Sequence, residues 1–377
     1  MSKRSFYFIT IILVMIVLSA CGNDKEVEVD TQDTIVLKAG SNLPTNHINM
    51  VNSMVPFIER VEEETNGRVQ FEVYDSESLV RAGEELEALR AGTIDIAIPM
   101  YEAYDLSRFP LTEVPMLPVT KTDRDINGEA LSIMWGSSEP YEDGETFVEK
   151  MYGSQDLVVW PSGASKSYTI ATVGKPIESL DELQSLQLRS PSNIHDLFSA
   201  NIGASPIKMS INETFDALNR GTLDGGYSIM EDWKSYGFQE VYTYAIDGLN
   251  LGLFPASIAM TEEKFNSLPE DIQEIISTAA SEMPIPKHNP IINENMEVIE
   301  ADIIETFLES GGQLDNISDL PQDVQDAIEQ AIVDTWHDWI EAQEDKGQPG
   351  LETAIKWRDS IIEAGGDVPD KIKELEL

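Results

Sequence analysis

Cysteine and histidine are scarce in this 377-residue chain, and their absence excludes several kinds of chemistry. Cys21 is the only cysteine of the sequence, so no internal disulfide can form. The four histidines, at positions 47, 195, 288 and 337, show no metal-ligand spacing. Neither an HExxH string nor a phosphate-loop string occurs. The sequence therefore predicts no metal, no cofactor and no acid–base catalytic constellation.

Basic residues are also few, and the chain is strongly acidic. Lysine and arginine together number 25 against 68 acidic residues, which gives a formal net charge of -43 at pH 7. Such a surface repels nucleic acid and anionic lipid, so we expect neither as a partner. The hydrophobic fraction of 41% is ordinary for a globular chain, and the acidic excess therefore belongs on the surface of a folded protein. An arginine in a cleft is more informative in this setting, because an anionic ligand needs a local positive pocket.

After the first 17 residues the sequence lacks a long apolar run. A basic start and an apolar stretch over residues 6–17 precede the string LSAC, which ends at Cys21. This pattern predicts a signal peptide over residues 1–20, lipidation of Cys21 and an acidic, flexible tether over residues 21–33. We therefore expect a protein held by lipid on the outer face of the cell membrane, in the extracellular or periplasmic space.

Alternating strands and helices organise the rest of the chain. Residues 34–98 read as strand, helix, strand, helix and strand, which predicts a parallel α/β lobe. Residues 179–228 read as helix, strand, loop, helix, strand, helix and strand. The string ALRAGTID at residues 88–95 returns as ALNRGTLD at residues 217–224, a partial internal duplication suited to two similar lobes.

Arg189 is the first candidate for a ligand contact. It ends a predicted buried strand, and Ser192 is placed to cap the following helix, whose amide groups point to the same crevice. Ligands of open α/β sheets bind outside the carboxyl ends of the strands, and an arginine there offers a fork for a carboxylate. Pairing with a surface acid is the alternative for Arg189. Other residues that follow predicted strands are further candidates: Asn42, Met100, Tyr101 and Tyr227.

Three strings carry a family resemblance over nearly all of the chain after Thr34: LRSP, IGASPIKMSINETFDALNRGTLDG and SLPEDIQEIISTAA. They resemble the substrate-binding subunits of TRAP (tripartite ATP-independent periplasmic) transporters, the DctP-type family, here in a lipoprotein form. The resemblance implies a two-lobed α/β fold of the type II periplasmic-binding-protein kind. Each lobe is then a mostly parallel sheet flanked by helices, with hinge strands between the lobes.

The predicted lobes draw on separate stretches of sequence. Lobe I comprises residues 34–165 plus 254–293, and lobe II comprises residues 166–253 plus 294–377. Predicted strands over residues 241–246 and 253–260 cross between them. Two such crossings would form a hinge.

The resemblance also assigns residue roles. Arg189 matches the arginine with which the family holds a ligand carboxylate, and His47, in the string LPTNH, matches a histidine at the cleft mouth. A second arginine of the relatives is missing, and Lys166 and Tyr168 lie near its place. Ser228 stands where sialate-type relatives have an asparagine. The ligand is therefore expected to be a small organic acid of unknown identity.

The resemblance predicts a receptor that captures an organic anion by lobe closure and delivers it to the small and large TRAP membrane subunits. A receptor that passes its ligand signal to a membrane sensor is an alternative of the same mechanical kind. A secreted hydrolase is the alternative of another class, because Ser205 and Lys208 form an S-x-x-K string. The companion strings S-D-N and K-T-G of those hydrolases are absent, and we therefore predict no enzymatic activity.

Overall fold

The computed structural model describes residues 34–174, 176–283 and 290–377. The predicted signal peptide, the lipidation site Cys21 and the tether over residues 21–33 lie outside this part of the chain. So do Pro284 and Pro286, which the sequence pattern marks as helix breakers. No helix of the described residues is long and apolar enough to cross a membrane.

Two β-sheets form the framework of the described chain. Both are mixed sheets: the first has parallel pairs at one side and antiparallel pairs at the other, and the second has parallel pairs at both sides and antiparallel pairs in the middle. In chain order the strands are β1 (Ile35–Gly40), β2 (Val69–Tyr74), β3 (Ile96–Met100), β4 (Leu157–Pro161), β5 (Thr169–Thr172), β6 (Gln187–Ser190), β7 (Ser205–Lys208), β8 (Gly225–Ser228), β9 (Tyr244–Asp247), β10 (Ser257–Thr261) and β11 (Gln313–Asn316).

Helices cover both sheets, and short polar caps begin several of them. The Ser192 hydroxyl accepts a hydrogen bond from the backbone of His195, as the sequence predicts. The helices are α1 (Val55–Glu64), α2 (Glu85–Arg90), α3 (Arg124–Gly136), α4 (Phe147–Tyr152), α5 (Leu180–Ser185), α6 (Asn193–Ile202), α7 (Ile211–Asn219), α8 (Trp233–Tyr236), α9 (Glu262–Asn266), α10 (Glu270–Glu282), α11 (Pro290–Glu309), α12 (Gln322–Glu344), α13 (Gly350–Glu363) and α14 (Asp370–Lys373).

The first sheet has the order β2-β1-β3-β10-β4. Strand β1 runs parallel to both β2 and β3, which confirms the parallel unit predicted over residues 34–98. Strand β10 is antiparallel to β3 and to β4, so the complete sheet is mixed. The parallel strands end at Gly40, Tyr74 and Met100, and their carboxyl ends meet at one edge of the sheet.

The second sheet has the order β11-β9-β5-β8-β6-β7. Strand β6 runs parallel to β7 and β8, and β5 is antiparallel to β8 and β9. The order of elements predicted for residues 179–228 is confirmed as α5, β6, α6, β7, α7 and β8. The two-lobed α/β architecture is thus present, with each lobe built on its own sheet.

The sequence predicts strands that cross between the lobes. In the structure, two extended segments outside the strands connect the two sheets in that region. Residues 162–168 join β4 to β5, and residues 248–256 join β9 to β10. The two segments run side by side, because the amide of Tyr168 donates to the carbonyl of Gly252 and that of Leu251 donates to the carbonyl of Tyr168. The strand predicted over residues 241–246 corresponds to β9, which stays within the second sheet.

The strands divide between the two sheets at these segments. Strands β1 to β4 and β10 fall within residues 34–165 and 254–293, and the remaining strands fall within residues 166–253 and 294–377. The helical layer is shared more widely, since α12 packs on α6 whereas α13 packs on α3. The lobe boundaries in the helical layer stay a prediction.

Candidate functional site

A cavity lies where the carboxyl ends of strands from both sheets face each other. The cavity has a water-accessible volume of about 70 Å³. The segments after β1, β3, β7 and β8, the end of β6 and the two crossing segments all contribute to its wall. Of the residues predicted from the sequence, the cavity is lined by Asn42, His47, Tyr101, Tyr168 and Arg189.

Arg189 is the only lysine or arginine among the residues that line this cavity. Its exposed fraction is 3%. Its Nε donates to the carbonyl oxygen of Met209 at 3.2 Å, and Nη1 donates to that of Tyr227 at 3.4 Å. Among the described residues, no carboxylate forms an ion pair with this guanidinium. A buried guanidinium without a carboxylate partner is costly, because neutral hydrogen-bond acceptors do not balance its charge.

The positive charge of Arg189 is felt by its neighbours. Burial lowers the pKa of His195 to about 3, and the adjacent Arg189 charge acts in the same direction. Burial raises the pKa of Tyr168, while the charge of Arg189 opposes that rise. Both groups are therefore neutral at pH 7 and leave the guanidinium as the charged group on this side of the cavity.

Glycine at position 226 allows strand β8 to approach β6 beside this arginine. A Cβ atom at Gly226 would lie 2.9 Å from the Cβ atom of Arg189 and 3.4 Å from the hydroxyl oxygen of Tyr242. Real Cβ contacts are not that short, so a side chain there would push Arg189 out of place. The string DGG before Tyr227 therefore has a direct structural role.

Asp232 brings a carboxyl group into the same cavity from the turn after β8. Burial raises its pKa to about 7, with the negative charge of Glu231 adding to the rise and the positive charge of Arg189 opposing it. The Oδ1 atom of Asp232 lies 3.4 Å from Nε2 of His47, which comes from the other lobe. Asp232 and His47 thus meet across the cleft.

Aromatic rings form much of the remaining wall. Tyr101 and Tyr104 follow β3, and their ring centroids lie 5.4 and 5.1 Å from that of Phe254 in the second crossing segment. On the facing side, the ring of Tyr236 lies 5.6 Å from the imidazole of His47. The cavity therefore has one buried cation, one carboxyl group and a lining of aromatic rings.

Four residues predicted as ligand contacts do not line the cavity. Met100 is buried in the core of the first lobe, and the Tyr227 hydroxyl is 2.6 Å from that of Ser199 within the second lobe. The Ser228 hydroxyl accepts a hydrogen bond from the indole of Trp233 at 2.9 Å. The ammonium of Lys166 lies 2.6 Å from a carboxylate oxygen of Glu300. Strand alternation explains the first three, because a residue near a strand end faces the core as often as the cleft.

The cavity residues that were not predicted as ligand contacts include Asp232, Tyr236 and Phe254. Asp232 and Tyr236 follow a predicted strand, which is a usable signal, but a single acid among so many gives no reason to select it. Phe254 was assigned to a strand, whereas the structure places it in a crossing segment. Its position depends on how the chain passes between the sheets.

The described residues offer no support for the chemistry of the hydrolase alternative. Ser205 and Lys208 both lie on the short strand β7, and the Lys208 ammonium donates to the side-chain oxygen of Asn193 at 2.7 Å. Within residues 34–174, 176–283 and 290–377, no group of three or more His, Cys, Asp or Glu side chains is placed to hold a metal ion.

A larger surface cleft, of about 460 Å³, lies beside the end of α2. Its Lys264 is paired with Asp95 at 2.9 Å, and its Arg90 donates to the side-chain oxygen of Gln155 at 2.9 Å. Because these cations already have partners and lie at the surface, the smaller cavity at Arg189 is the stronger candidate for a ligand site.

Comparisons with known proteins agree with this fold. Residues 40–343 match the family model DctP, described as "Bacterial extracellular solute-binding protein, family 7". A solute-binding protein of Albidiferax ferrireducens is 20% identical over 278 residues, which cover 70% of this chain and 74% of that protein. The C4-dicarboxylate-binding periplasmic protein DctP of Rhodobacter capsulatus is 25% identical over 248 residues, covering 65% of this chain and 71% of that protein.

Solved structures of TRAP solute-binding proteins share the fold. One from a marine metagenome, specific for aromatic acid ligands, is 22% identical with a TM-score of 0.73, covering 88% of this chain and 99% of that chain. One from Rhodoferax ferrireducens, with copurified benzoate, is 20% identical with a TM-score of 0.72 and the same coverage. The family is one of solute-binding proteins, not of enzymes. With most of its length matched by the family model, this chain belongs to the DctP family of bacterial extracellular solute-binding proteins.

Proposed function

We propose that Arg189 binds the carboxylate of a small organic acid in the cavity between the lobes. The observation that supports this most directly is the burial of its guanidinium without an ion-pair partner among the described residues. Removing an arginine from water is costly unless an anion meets it, and a planar carboxylate matches its paired N–H groups. The ligand carboxylate would supply the missing partner.

Capture would work by lobe closure. Residues after β1 and β3 approach the cavity from one lobe, and Arg189 and Asp232 approach from the other. A ligand that contacts the residues of both lobes binds the closed conformation more tightly than the open one. This difference in affinity shifts the protein towards the closed conformation. The side-by-side crossing segments are suited to act as the hinge, because they are the covalent links nearest the cavity.

The relatives support an acid as the ligand. Their names or bound molecules include C4-dicarboxylates, benzoate, orotic acid and galacturonate, and each of these carries a carboxylate. Low sequence identity prevents transfer of any one of these ligands to this chain. The carboxylate that these ligands share supports Arg189 as the residue that binds the ligand carboxylate.

Delivery would involve a membrane partner and a membrane anchor. By family membership we propose that the protein hands its ligand to the small and large TRAP membrane subunits, rather than to a sensor. Lipidation of Cys21 would hold it at the outer face of the membrane, with residues 21–33 as the tether. Loss of the protein from the membrane fraction in a Cys21→Ala variant tests the anchor.

A thermal-shift screen against organic acids tests the proposed function. A ligand that binds only the folded state raises the unfolding temperature in a dose-dependent way. We expect at least one acid to stabilise the wild type and to lose that effect in Arg189→Ala. The matched control is Arg220→Ala, which removes an exposed arginine that pairs with Asp216. Equal stabilisation of the wild type and Arg189→Ala by the same acid would remove Arg189 from the site.

A further inference from the structure

The Arg189 cavity also contains hydrogen-bond acceptors that no described residue satisfies. The side chain of Asp232 lines the cavity with an exposed fraction of 14%, and no described residue donates a hydrogen bond to its carboxyl group. The side-chain oxygen of Asn42, which lines the cavity from the other lobe, is buried and has no hydrogen-bond partner among the described residues. Buried acceptors are normally paired, so the unpaired oxygen of Asn42, in a cavity that also contains the part-exposed carboxyl group of Asp232, points to a donor that comes from the ligand.

His47 does not fill this need. Its Nδ1 accepts a hydrogen bond from the amide of Asn49 at 3.1 Å, so the proton of the neutral ring is on Nε2, 3.4 Å from Asp232. Burial lowers the pKa of His47 to about 4, and the ring is therefore uncharged at pH 7. His47 thus flanks Asp232 without neutralising it, and the outer part of the carboxyl group remains open to the cavity.

The remaining wall is suited to a flat apolar body. Tyr101, Tyr104 and Phe254 form a cluster of rings in mutual edge or tilted contact, and Tyr236 stands on the facing side beside His47. Aromatic walls favour ring-shaped ligands through stacked or edge contacts. A flexible, purely polar chain would leave these rings without a partner of matching shape.

From these contacts we infer a second subsite, in which Asp232 and Asn42 are the polar acceptors, that binds a hydroxyl or amino group on a ring-bearing monocarboxylic acid. The inference rests on the proposed function, because Arg189 takes the carboxylate of the same ligand. A second carboxylate on the ligand would meet the carboxyl group of Asp232 and find no further lysine or arginine among the described cavity residues. The site therefore selects against dicarboxylic acids.

Calorimetric titration with simple probes tests the subsite: benzoate, the three hydroxybenzoates and succinate. We expect the best hydroxybenzoate to bind the wild type at pH 8, where most of Asp232 is ionised, at least about tenfold more tightly than benzoate, as a hydrogen bond to a charged group provides. Both should bind more tightly than succinate. Asp232→Leu should bring that hydroxybenzoate to within about twofold of benzoate, because the acceptor is gone.

Two further variants keep the test decisive. Asp232→Asn retains an acceptor oxygen and the side-chain size, and should keep a reduced preference for the hydroxybenzoate even if Asp232→Leu does not fold. Asp216→Leu makes the same change at an exposed carboxyl group that does not line the cavity, and should keep the full preference. A preference that disappears equally in Asp216→Leu and Asp232→Leu would overturn the assignment to Asp232.

The inference and the proposed function fail in different ways. Equal affinity of the wild type for benzoate and every hydroxybenzoate, or tighter binding of succinate, overturns the subsite while dependence on Arg189 still stands. Failure of the wild type to bind any ring acid also overturns the subsite. Binding of an acid that Arg189→Ala leaves unchanged overturns the proposed function itself.

Discussion

Burial of Arg189 lowers the stability of the folded protein when no ligand is bound. This loss of stability supports a role for Arg189 in ligand binding. Its guanidinium is removed from water and receives only two carbonyl contacts in return. In a chain with a net charge of -43, acids to pair with it are abundant, yet none of the described acids does so. The side chain is thus held ready for a negative group that the chain itself does not supply.

Lys166 offers a contrast at the same scale. Its ammonium is 44% exposed and lies 2.6 Å from Glu300, away from the cavity wall. We predict that Lys166→Met leaves the affinity for the ligand within about twofold of the wild type, because an exposed ion pair contributes little. Titration of both proteins with the same acid measures this. A loss of tenfold or more would return Lys166 to the ligand-binding set predicted from the sequence.

Glu85 makes the stability of the protein depend on pH. It is 1% exposed, Gly83 donates its amide to Oε2 at 2.7 Å, and Oε1 has no partner. Burial raises its pKa to about 8, so the folded state keeps a proton that the unfolded state releases near pH 4.5. Its contribution to stability is therefore complete below about pH 4.5 and is lost as the pH rises through about 8.

Replacement of Glu85 by its neutral isostere measures this contribution. We predict that from pH 6 to pH 9 the unfolding free energy of the wild type falls by about 2 kcal/mol more than that of Glu85→Gln. Urea denaturation at each pH gives the comparison, with exposed Glu84→Gln as control. Parallel pH profiles for the wild type and Glu85→Gln would show that Glu85 is ionised in the folded state.

At the scale of elements, strand ends determine which residues meet in the cavity. The alternation of apolar and polar residues predicts strands and helices well, and the helix start at Ser192 is correct because a serine there caps the helix. The face of each strand end is harder to predict. Arg189 faces the cavity and Met100 faces the core, although both lie at or near the carboxyl end of a buried strand. Sequence alternation over so few residues carries too little information to separate them.

Gly226 connects the geometry of strand β8 to the position of Arg189. We predict that Gly226→Ala weakens ligand binding by about tenfold or more, because the new methyl group displaces the arginine from its carboxylate geometry. Gly153→Ala is the matched control, since a Cβ atom there meets nothing within 4 Å. The titration that measures Arg189 variants also measures these. Unchanged affinity in Gly226→Ala would mean that Arg189 tolerates a shift and does not act as a precise anchor.

At the scale of the whole molecule, pairs of residues from different lobes define the site, and the sequence alone does not reveal them. His47 meets Asp232 across the two lobes, and Arg124 of α3 meets Glu231 of the turn after β8, more than 100 residues along the chain. The family resemblance identified the fold and placed Arg189, because long strings carry that information. Contacts between distant segments depend on how the two crossing segments pass between the sheets, which no local pattern encodes.

Arg124 and Glu231 form a buried ion pair between α3 and the turn after β8. Arg124 also donates to the side-chain oxygen of Asn293 at 2.9 Å. We predict that Arg124→Met destabilises the protein by about 3 kcal/mol, because it leaves the carboxylate of Glu231 buried without its partner. The double variant Arg124→Met, Glu231→Gln should recover much of this loss in urea denaturation. No recovery in the double variant would show that Glu231 is not the group left unpaired.

The ligand-bound crystal structure is the measurement that tests the central claim most directly. It should be determined with the acid that gives the largest thermal shift. We predict that the ligand lies in the cavity between the lobes with its carboxylate oxygens about 2.8 Å from the guanidinium nitrogens of Arg189. A ligand carboxylate bound elsewhere, with Arg189 still held only by the carbonyls of Met209 and Tyr227, would contradict the account.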